Sequence, residues 1–341
     1  MKINQGLAFQ MNIIVTGADG FIGKRLCMRL AEKGHTVLAL VKSMGESRFA
    51  KSFWHEKGVV AKKSAGKIHF LEANILDLGQ LRKALCGARA DCCIHLAGFS
   101  NNPRSPEEET ACFSTNVDGT KNAIEALAGM KDIGFVFMSS AKVYGNSAGS
   151  VDESSPLLAD DAYSKSKIEA EKAVMEAAEN GSVRAIILRP SNSYGPGDLS
   201  FQRIIPGSLK RILAGEPPVV YGDGMAMKNF IFVGDTVEAI ISAAENSEKA
   251  KAANGAEVIN LSSGKNISIM DIEEILLMEC GSSLKPLFLR DKKGESAPEI
   301  STRKAERLLG WRACTSIGDG LRQTVKWYRG HFEDERKIAK D

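Results

Sequence analysis

The first half of the chain alternates short, continuous apolar runs with longer stretches in which apolar residues recur every three or four positions. The short runs are typical of strands buried on both faces of a parallel sheet, and the longer stretches are typical of amphipathic helices that cover such a sheet. The predicted strands lie at 12–16, 37–41, 67–71, 91–98 and 133–138, and the predicted helices lie at 21–33, 77–85, 107–128 and from Asp160 onward. This alternation predicts an α/β fold with a doubly wound parallel sheet, whose ligands bind at the carboxyl ends of the strands.

A glycine-rich turn joins the first predicted strand to the first predicted helix. It carries Gly17, Gly20 and Gly23 in the spacing G-x-x-G-x-x-G. Glycine permits a tight turn and lets the backbone approach a phosphate closely, and the N-terminus of the following helix offers free N–H groups and the positive end of its dipole. An ordinary glycine-rich turn is the alternative, but the place of this turn at the start of a βαβ pattern favours a dinucleotide-binding loop that includes Phe21 and Ile22.

The end of the second predicted strand bears on the choice of cofactor. A carboxylate about 20 residues past the glycine loop commonly binds the ribose hydroxyls of NAD. Here the residues are instead Val41, Lys42 and Ser43. Lys42 offers a cation to the 2′-phosphate of NADP, and a solvated lysine at a strand end is the alternative interpretation. The expected cofactor is therefore NAD or NADP, with Lys42 favouring NADP.

The helix that begins near Asp160 carries Tyr163 and Lys167, which are four residues apart and therefore share one face. A tyrosine hydroxyl has an ordinary pKa near ~10, and a neighbouring ammonium lowers such a pKa because it favours the phenolate. A tyrosine tuned in this way is a workable proton carrier near neutral pH. Such pairs also occur by chance on helix surfaces, so the spacing alone does not identify a catalytic site. His95, which lies in a predicted buried strand, is interpreted as a packed core histidine rather than a catalyst.

Composition narrows the classes of function. Of the 341 residues, 43% are apolar, which is enough for a full core, and the chain is long for one domain. The 45 basic and 42 acidic residues leave a net charge of +3 without basic blocks interleaved with aromatics, so no nucleic-acid partner is expected. Seven cysteines form no C-x-x-C pair, which indicates a reduced cytoplasmic setting and no metal site. No apolar run approaches ~18 residues and no signal-peptide pattern opens the chain, so a soluble protein without a membrane partner is expected.

The C-terminal third predicts a smaller α+β lobe. Short strands are predicted at 219–221, 258–260 and 286–288, and helices at 201–213, 236–244, 269–278 and 317–328. We therefore expect an NAD(P)-binding Rossmann domain at 1–190, with 228–261 returning to it, and a substrate-binding lobe at 191–227 and 262–330. Residues 1–10 and the charged tail at 331–341 are expected to be frayed, and the polar stretch 43–66 is expected to be an insertion or mobile loop with a short helix near 48–55.

Several motifs occur in a single order along the chain. They are the glycine loop, HLAG at 95–98, NVDGT at 116–120, SSAKVYG at 139–145, Y-x-x-x-K at 163–167 and RPSNSYGPG at 189–197, followed by GDG at 222–224, KNFIFV at 228–233, VINLSSG at 258–264 and LGW at 309–311. Together they resemble the extended short-chain dehydrogenase/reductase family, in its NAD-dependent nucleotide-sugar epimerase/dehydratase branch, and are similar to UDP-glucose 4-epimerases. The resemblance covers residues 12–330.

The resemblance implies three catalytic residues. Ser140 would hold the sugar hydroxyl or keto oxygen, Tyr163 would transfer the proton, and Lys167 would bind the nicotinamide ribose and tune Tyr163. Asn116, on the neighbouring helix, would support the helix that carries the tyrosine and the lysine.

The resemblance also implies binding residues for both ligands. Asn192 and Lys228 would bind the substrate diphosphate, and Arg290 is a further candidate for the nucleotide phosphates. The implied cofactor contacts beyond the glycine loop are Lys42, Asn74, Ile75, Leu96, Ala97, Gly98, Asn116, Ser139, Tyr163, Lys167, Pro190 and Ser193. The implied partner is a nucleotide sugar, with UDP favoured. Dimerisation through the Tyr163 helix is common in such folds, so a homodimer is one expected state.

This chain departs from the branch at several positions. Dehydratases follow the catalytic hydroxyl residue with an acidic pair, and sugar-acid decarboxylases tend to keep a glutamate there, whereas this chain has Ala141-Lys142. A 4,6-dehydratase is therefore disfavoured, because loss of water from C5–C6 needs a base and an acid at this place. Asn74 replaces an aspartate that contacts adenine, and its amide can still hydrogen-bond that base. Lys228-Asn229 replaces an Arg-Asp pair, which removes bidentate phosphate recognition.

Two activities fit these residues. The expected one is interconversion of C4 epimers of a UDP-hexose or UDP-N-acetylhexosamine through transient oxidation to a 4-keto intermediate. The alternative is an NADPH-dependent nucleotide-4-keto-(6-deoxy)sugar reductase, in which Tyr163 donates the proton. Lys42 favours the reductase, whereas the RPSNSYGPGD run at 189–198 and the segment from GDG at 222–224 to NFIFV at 229–233 favour the epimerase. A catalytically silent NAD(P)-binding sensor would be expected to lack Ser140, Tyr163 or Lys167, and all three are present.

Overall fold

The computed structural model of the protein describes residues 10–47, 50, 66–147, 149–249, 255–290, 294 and 296–338. The predicted frayed extension lies outside these residues except for Gln10, and so does most of the predicted insertion at 43–66, including its short helix apart from Ala50. The chain forms two compact units. Unit 1 comprises residues 1–143, 159–189 and 237–259, and unit 2 comprises residues 144–158, 190–236 and 260–341.

Unit 1 is built on a seven-stranded sheet covered by helices, and its elements are numbered along the whole chain. The strands are β1 (Asn12–Thr16), β2 (Thr36–Val41), β3 (Ile68–Glu72), β4 (Cys92–His95), β5 (Gly134–Met138), β7 (Arg184–Pro190) and β11 (Glu257–Leu261). The helices are α1 (Phe21–Lys33), α2 (Leu78–Ala84), α3 (Pro106–Phe113), α4 (Gly119–Ala126), α5 (Ala162–Glu179) and α7 (Val233–Glu245). The last residue of β7, the last two of β11 and the first four of α7 belong to unit 2.

The strand order determines where a ligand can bind. The order is β11-β7-β5-β4-β1-β2-β3, and the pairs from β3 to β7 are parallel. β1 pairs with both β2 and β4, so the winding of the chain reverses at β1. At such a switch point the loops after neighbouring strands diverge and leave a crevice at the carboxyl ends. The prediction of an α/β fold with a doubly wound parallel sheet is confirmed.

Burial explains why the central strands are continuous apolar runs. All residues of β4 and β5 are buried, since helices cover both faces of the sheet. One core cluster joins Ile14 on β1, Phe135 on β5 and Ile187 on β7 to Val174 on α5. Full burial of an aliphatic or aromatic side chain contributes about 1.5–3 kcal/mol. The strand ends that carry the site are therefore attached to a rigid scaffold.

Capping side chains fix where three helices begin. Asp77, Ser105 and Asp161 each accept a hydrogen bond from the backbone N–H three residues later, at the starts of α2, α3 and α5. Replacing such a cap by alanine typically costs about 0.5–2 kcal/mol. α1 ends at Gly34, whose φ of 103° is accessible to glycine without strain.

Two predicted helices differ from the observed ones. The predicted helix 107–128 is interrupted by a π-helical turn at Ser114–Asp118, which separates α3 from α4. The helix predicted to end at Tyr328 is α10 (Ile317–Ile338), so residues 331–338 of the predicted frayed tail are helical. A physical reason is the stacking of Trp327 on His331 one turn later, with ring centroids 4.7 Å apart. Residues 339–341 lie outside the described part of the chain.

Unit 2 is a mixture of small sheets and helices, as the predicted α+β lobe implies. Its sheets have the orders β12-β10-β8, β13-β9 and β14-β6. The strands are β6 (Ser150–Val151), β8 (Asn192–Tyr194), β9 (Val219–Tyr221), β10 (Met227–Phe232), β12 (Asn266–Ser268), β13 (Leu287–Leu289) and β14 (Glu299–Ile300), and the helices besides α10 are α6 (Ile204–Leu213), α8 (Ile269–Glu279) and α9 (Arg303–Leu309). Within the described part of either unit, no helix combines the length and the apolar character needed to cross a membrane.

The division into two compact units is a division by internal contacts and not by the ligand that each part binds. Compactness groups 237–259 with unit 1 and 144–158 with unit 2. The predicted division into a cofactor domain at 1–190, with 228–261 returning to it, and a substrate lobe is a statement about binding. It stays a prediction.

Glu273 on α8 makes the stability of unit 2 depend on pH. The side chain is fully buried, and its Oε1 accepts a hydrogen bond from Ser208 Oγ at 2.5 Å. Burial raises the pKa of the Glu273 carboxyl from 4.5 to about 7. The folded protein thus keeps a proton that the unfolded chain has already released, so this group makes the free energy of unfolding fall as the pH rises from 4.5 to about 7.

We therefore expect Glu273→Gln to unfold at higher urea concentration than wild type at pH 8. The expected gain is about 2–3 kcal/mol, and at pH 4 the two proteins should differ much less. Glu274→Gln is the matched control, because Glu274 is its exposed neighbour on the same helix. A gain of equal size at both pH values would contradict this account of Glu273.

Candidate active site

The glycine loop after β1 folds as tightly as its spacing predicts. Gly17 has a φ of 66°, and a Cβ atom at this position would lie 2.6 Å from the backbone nitrogen of Ala97. A Cβ atom at Gly23 would lie 2.2 Å from the carbonyl oxygen of Gly17. The loop therefore packs directly against the segment after β4, and Leu96 N also donates to Thr16 O at 3.3 Å. Gly17, Gly23, Leu96 and Ala97 are thus brought together at the switch point.

The N-terminus of α1 fits the pyrophosphate of a dinucleotide. The N-cap residue is Gly20, which has no side chain to occupy the free N–H groups. The first turn, which contains Phe21, Ile22 and Gly23, carries no acidic residue. The N–H groups and the positive end of the helix dipole are therefore suited to binding an anion. The residues present fit a nicotinamide dinucleotide, and their roles in binding it stay predictions.

The residues predicted to meet the adenosine half lie after β2 and β3. Lys42 is exposed directly after the last residue of β2. Asn74 Oδ1 accepts a hydrogen bond from Leu76 N at 3.1 Å, so this oxygen stabilises the turn that follows β3. Ile75 is buried against Gly119, where a Cβ atom would lie 2.6 Å from Ile75 Cδ1. The contacts of these three residues with a cofactor stay predictions.

His95 is a core histidine, as predicted. It is fully buried, its Nδ1 lies 2.8 Å from Thr16 Oγ1 and its Nε2 lies 3.2 Å from Thr120 Oγ1. The ring stacks on Phe135 and Phe137. Burial and the nearby Lys167 charge lower the pKa of His95 to about 3. The ring is therefore neutral near pH 7, and its two nitrogens are used in joining β1, β4 and α4.

Asn116 supports the helix that carries Tyr163 and Lys167, as the resemblance implies. It lies in the π-helical turn and is buried. Its Nδ2 donates to Ser166 Oγ at 2.8 Å, and its Oδ1 accepts from Phe99 N at 2.8 Å. Ser166 Oγ in turn donates to the carbonyl oxygen of Tyr163 at 2.7 Å. The turn of α5 between Tyr163 and Lys167 is therefore fixed by a side chain from the neighbouring helix.

Gly98 leaves the space in which Asn116 and Lys167 meet. A Cβ atom at Gly98 would lie 2.8 Å from Asn116 Oδ1 and 3.4 Å from Lys167 Nζ. The amide and the ammonium therefore converge on the backbone that follows β4. Any larger residue at this position would displace at least one of them.

Lys167 is a buried cation next to Tyr163. Lys167 is 6% exposed, and its Nζ donates to the carbonyl oxygen of Met138 at 2.9 Å. The same Nζ lies 6.0 Å from the centroid of the Tyr163 ring. Burial lowers the pKa of Lys167 to about 8, against the opposing influence of Cys112 and Glu171. The ammonium form still predominates at pH 7, so a positive charge is held beside the tyrosine.

Ser140 lies between the end of β5 and the 3₁₀ turn Ala141–Tyr144. Its Oγ accepts a hydrogen bond from Lys142 N at 3.2 Å, and its carbonyl oxygen accepts from Val143 N at 3.3 Å. The hydroxyl hydrogen of Ser140 can still be donated, because these contacts use Ser140 only as an acceptor. Ser140, Tyr163 and Lys167 all belong to unit 1.

A buried ion pair lies one helical turn beyond Lys167. Arg189 donates to Glu171 through Nε at 2.9 Å and through Nη2 at 2.6 Å, and both side chains are at most 3% exposed. Ser139 Oγ also donates to Glu171. The network joins α5 to the ends of β5 and β7. Glu171 is not among the predicted site residues, although its position four residues after Lys167 places it on the same helix face.

The predicted substrate residues belong to unit 2. Asn192 on β8 is exposed, and its Nδ2 donates to the carbonyl oxygen of Asn229 at 3.0 Å. Lys228 on β10 is half-buried and pairs with Ile267 on β12, whereas Arg290 is exposed just after β13. Parallel pairing of β8 and β10 places Asn192 opposite Phe230, two residues from Lys228 along the strand. The roles of Asn192, Lys228 and Arg290 in binding substrate stay predictions.

Asn229 has a structural role that the sequence analysis did not identify. It is 1% exposed, its Oδ1 accepts from Ser262 Oγ at 2.8 Å, and its Nδ2 donates to Asn266 Oδ1 at 3.0 Å. Its side chain is thus used within unit 2. The remaining predicted cofactor contacts in unit 2 are Pro190, which ends β7, and Ser193, whose Oγ lies 3.2 Å from Thr236 Oγ1.

The arrangement in unit 1 is suited to moving a proton at a hydroxyl or carbonyl group. A tyrosine beside a fixed ammonium can exchange a proton near neutral pH, and a serine hydroxyl can orient the reacting oxygen. No group of metal-ligating side chains is found in the part of the chain that the structure describes.

Known proteins resemble this chain over nearly its full length. The sequence model of the NAD dependent epimerase/dehydratase family matches residues 13–261. dTDP-glucose 4,6-dehydratase from Streptomyces griseus is 26% identical over 94% of this chain and 94% of its own. UDP-glucose 4-epimerase 2 from Arabidopsis thaliana is 26% identical over 93% of this chain and 94% of its own. Among solved structures, a UDP-glucuronic acid 4-epimerase variant from Bacillus cereus in complex with NAD is 25% identical, covers 94% of this chain and 100% of its own, and has a TM-score of 0.81. These names include a dehydratase and two epimerases.

The Glu171–Arg189 pair generates a stability prediction. Removing one partner of a buried ion pair leaves an uncompensated charge and typically costs about 3–5 kcal/mol. We expect Glu171→Ala to lower the free energy of unfolding by this amount in urea. Glu169→Ala is the matched control, because Glu169 lies on the same helix, pairs with Lys172 and is 49% exposed, and we expect it to cost under about 1 kcal/mol. Equal losses in both variants would contradict the proposed importance of the buried pair.

Proposed function

This chain belongs to the NAD-dependent epimerase/dehydratase family, and on that premise we propose that it is an NAD(P)-dependent nucleotide-sugar epimerase. It interconverts C4 epimers of a UDP-hexose or UDP-N-acetylhexosamine by transient oxidation to a 4-keto intermediate. The observation that carries the proposal is the buried Lys167 ammonium, 6.0 Å from the centroid of the Tyr163 ring. That charge equips the tyrosine to move a proton at C4.

Each of three residues contributes a separate function. Tyr163 removes the proton of the C4 hydroxyl and returns it at the end of the reaction. Lys167 favours the phenolate form of Tyr163 through its charge. Ser140 donates its hydroxyl hydrogen to the sugar oxygen and so fixes the reacting group. When bound, the nicotinamide supplies the redox chemistry at C4.

The residues after Ser140 support an epimerase over a dehydratase. Loss of water from the sugar needs an acid and a base near C5 and C6. This chain has Ala141, which is apolar, and Lys142, whose ammonium is paired with Asp161 at 2.8 Å. Neither side chain is a carboxyl group that can perform this step.

The proposed substrate contacts are Asn192, Lys228 and Arg290. Lysine and arginine offer positive charge to a diphosphate, and an amide offers a hydrogen-bond donor. Curated relatives and solved structures with UDP-sugar names support UDP as the nucleotide. The amide of Asn229 takes no part, because its hydrogen bonds are made within unit 2.

An NADPH-dependent nucleotide-4-keto-(6-deoxy)sugar reductase is the second candidate, favoured by the exposed Lys42 after β2. The two candidates differ in what the purified protein contains. An epimerase regenerates its cofactor in each cycle and is expected to retain NAD at near-unit stoichiometry. A reductase consumes NADPH and is expected to purify empty. Denaturing the protein and identifying the released dinucleotide by mass distinguishes them.

We also propose a cytoplasmic homodimer. All seven cysteines are free thiols, which supports a reducing compartment. The helix α5, which carries Tyr163, and its neighbouring helix form the proposed contact between subunits, as the family resemblance implies.

Tyr163→Phe tests the proposed catalytic role. The substitution keeps the ring and removes the hydroxyl, so we expect kcat on UDP-glucose or UDP-N-acetylglucosamine to fall by about 10²–10⁴-fold. NAD content, measured by mass after denaturation, should stay close to the wild-type value and serves as the control for folding. Unchanged turnover would refute the assignment of Tyr163.

Lys42→Glu tests the proposed preference for NADP. If Lys42 binds the 2′-phosphate, the variant should bind NADPH more weakly than wild type does and should bind NADH at least as well. Fluorescence titration with each cofactor measures both dissociation constants and thus the ratio of the Kd for NADPH to the Kd for NADH. A lost phosphate contact should weaken NADPH binding by about 10-fold or more. Lys83→Glu makes the same charge change at an exposed position on α2 and should leave the ratio unchanged. If Lys42→Glu left the ratio of the two dissociation constants unchanged, the interpretation of Lys42 as a solvated lysine would be supported.

A further inference from the structure

Lys142 is an ordered cation close to Tyr163. It lies in the 3₁₀ turn that follows Ser140. Its Nζ donates to Asn102 Oδ1 and to Asp161 Oδ2, at 2.8 Å in each case. Two acceptors on separate segments thus hold the ammonium in one place, although the side chain is 42% exposed. A surface lysine without such contacts would sample many rotamers.

The ammonium of Lys142 is as close to the tyrosine ring as that of Lys167. The distances from Nζ to the ring centroid of Tyr163 are 5.8 Å for Lys142 and 6.0 Å for Lys167. Tyr163 is therefore within range of two positive charges. The charge of Lys142 is the more strongly screened of the two, because its side chain is partly in solvent.

Asp161 opposes the charge of Lys142 and also begins α5. Its Oδ1 accepts from Ser164 N at 2.7 Å as the N-cap, and its Oδ2 accepts from Lys142. Burial acts to raise the pKa of the Asp161 carboxyl, but the hydrogen bonds from Lys142 and Ser164 bring it below its usual value. Asp161 is therefore ionised at neutral pH and reduces the positive charge that Tyr163 experiences.

We propose that Lys142 is a second positioning cation for Tyr163, and that Asp161 limits its effect, so that this exposed pair determines the pH range in which Tyr163 exchanges its proton. The inference rests on the proposed role of Tyr163 as the proton carrier. Lys142 lies where related dehydratases carry acidic side chains, and here it acts on Tyr163 in a different reaction.

Further titratable groups in the described part of the chain face Lys167. They are Cys112 on α3, Glu171 on α5 and His95 on β4. Burial keeps the His95 ring and the Cys112 thiol uncharged near pH 7, and Glu171 is paired with Arg189. The Lys142–Asp161 pair is partly exposed, so its charges can be changed without leaving a buried charge uncompensated.

The two members of the pair give opposite predictions. Lys142→Met removes a cation and should move the pH at which Tyr163 is half-ionised upward by about half a unit to one unit. Asp161→Asn removes the opposing anion and should move that pH downward, and asparagine retains the N-cap of α5. Lys142→Arg keeps the charge, so Tyr163 should be half-ionised at nearly the same pH as in wild type.

The experiment is an ultraviolet absorbance titration of the tyrosinate form of Tyr163. Each protein is titrated against the same protein carrying Tyr163→Phe, so that the difference reports Tyr163 alone and needs no substrate. Lys165→Met is the matched control, because Lys165 is an exposed lysine on α5, two residues from Tyr163 and so on another face. The pH profile of kcat/KM on the accepted UDP-sugar should show the same shifts in its acidic limb.

Opposite shifts for Lys142→Met and Asp161→Asn, with none for Lys165→Met, would support the inference. Shifts in the same direction, or no shift in either variant, would overturn it. Because the titration does not depend on turnover, this result is separate from the test of the epimerase: loss of the epimerase assignment would leave the spectroscopic shifts measurable, and absent shifts would leave the assignment intact.

Discussion

The burial of the Lys167 ammonium is the constraint on which the arrangement of the site depends. A charge removed from water is costly unless hydrogen bonds and opposite charge compensate it. Here the carbonyl oxygen of Met138 accepts from the ammonium at 2.9 Å, Glu171 lies one turn further along α5, and Arg189 neutralises Glu171. Each charge needs the neighbouring group for compensation, and these groups come from β5, β7 and α5. The three elements are therefore held in one arrangement. The tyrosine one turn before Lys167 takes its position from the same helix.

A second constraint on α5 comes from the π-helical turn that carries Asn116. A π-helical turn widens the helix locally, and such turns occur frequently at functional sites. At Asn116 this wide turn supports a side chain that binds both Ser166 and the backbone of Phe99. Gly98 completes the arrangement because it leaves room for that amide. The site is therefore stabilised both by the compensated charge of Lys167 and by the hydrogen bonds of Asn116, for which Gly98 leaves room.

The sequence predicted those parts of the molecule that depend on local spacing. The central strands and the Tyr163–Lys167 face follow from periodicity, and Gly17 and Gly23 are required by close contacts at one turn. The sequence did not predict β7 or the Glu171–Arg189 pair. The role of Glu171 depends on its contact with Arg189, and only the folded sheet places β7, which carries Arg189, next to α5. The π-helical turn was also missed, because its residues keep a helical pattern.

The same limit applies to residues that family resemblance marked as substitutions. Asn229 was noted for the aspartate it replaces, but the structure shows an amide bound to Ser262 and Asn266, which are distant in sequence. Lys142 was noted for the acid it replaces, and its partner Asn102 is 40 residues away. Resemblance identifies which positions have changed, whereas only tertiary contacts show what the new side chain does.

The Lys142–Asp161 contact has a consequence for how the neighbouring segment can evolve. Both residues belong to unit 1, while residues 144–158 between them belong to unit 2. The ion pair therefore closes the base of a loop. Loop-closure entropy grows slowly with length, with each doubling costing about 0.6 kcal/mol. Insertions at exposed positions of this segment, outside the buried Tyr144 and the strand β6, are thus inexpensive and leave the base closed. The segment can diverge there in length and composition while the tyrosine keeps its place.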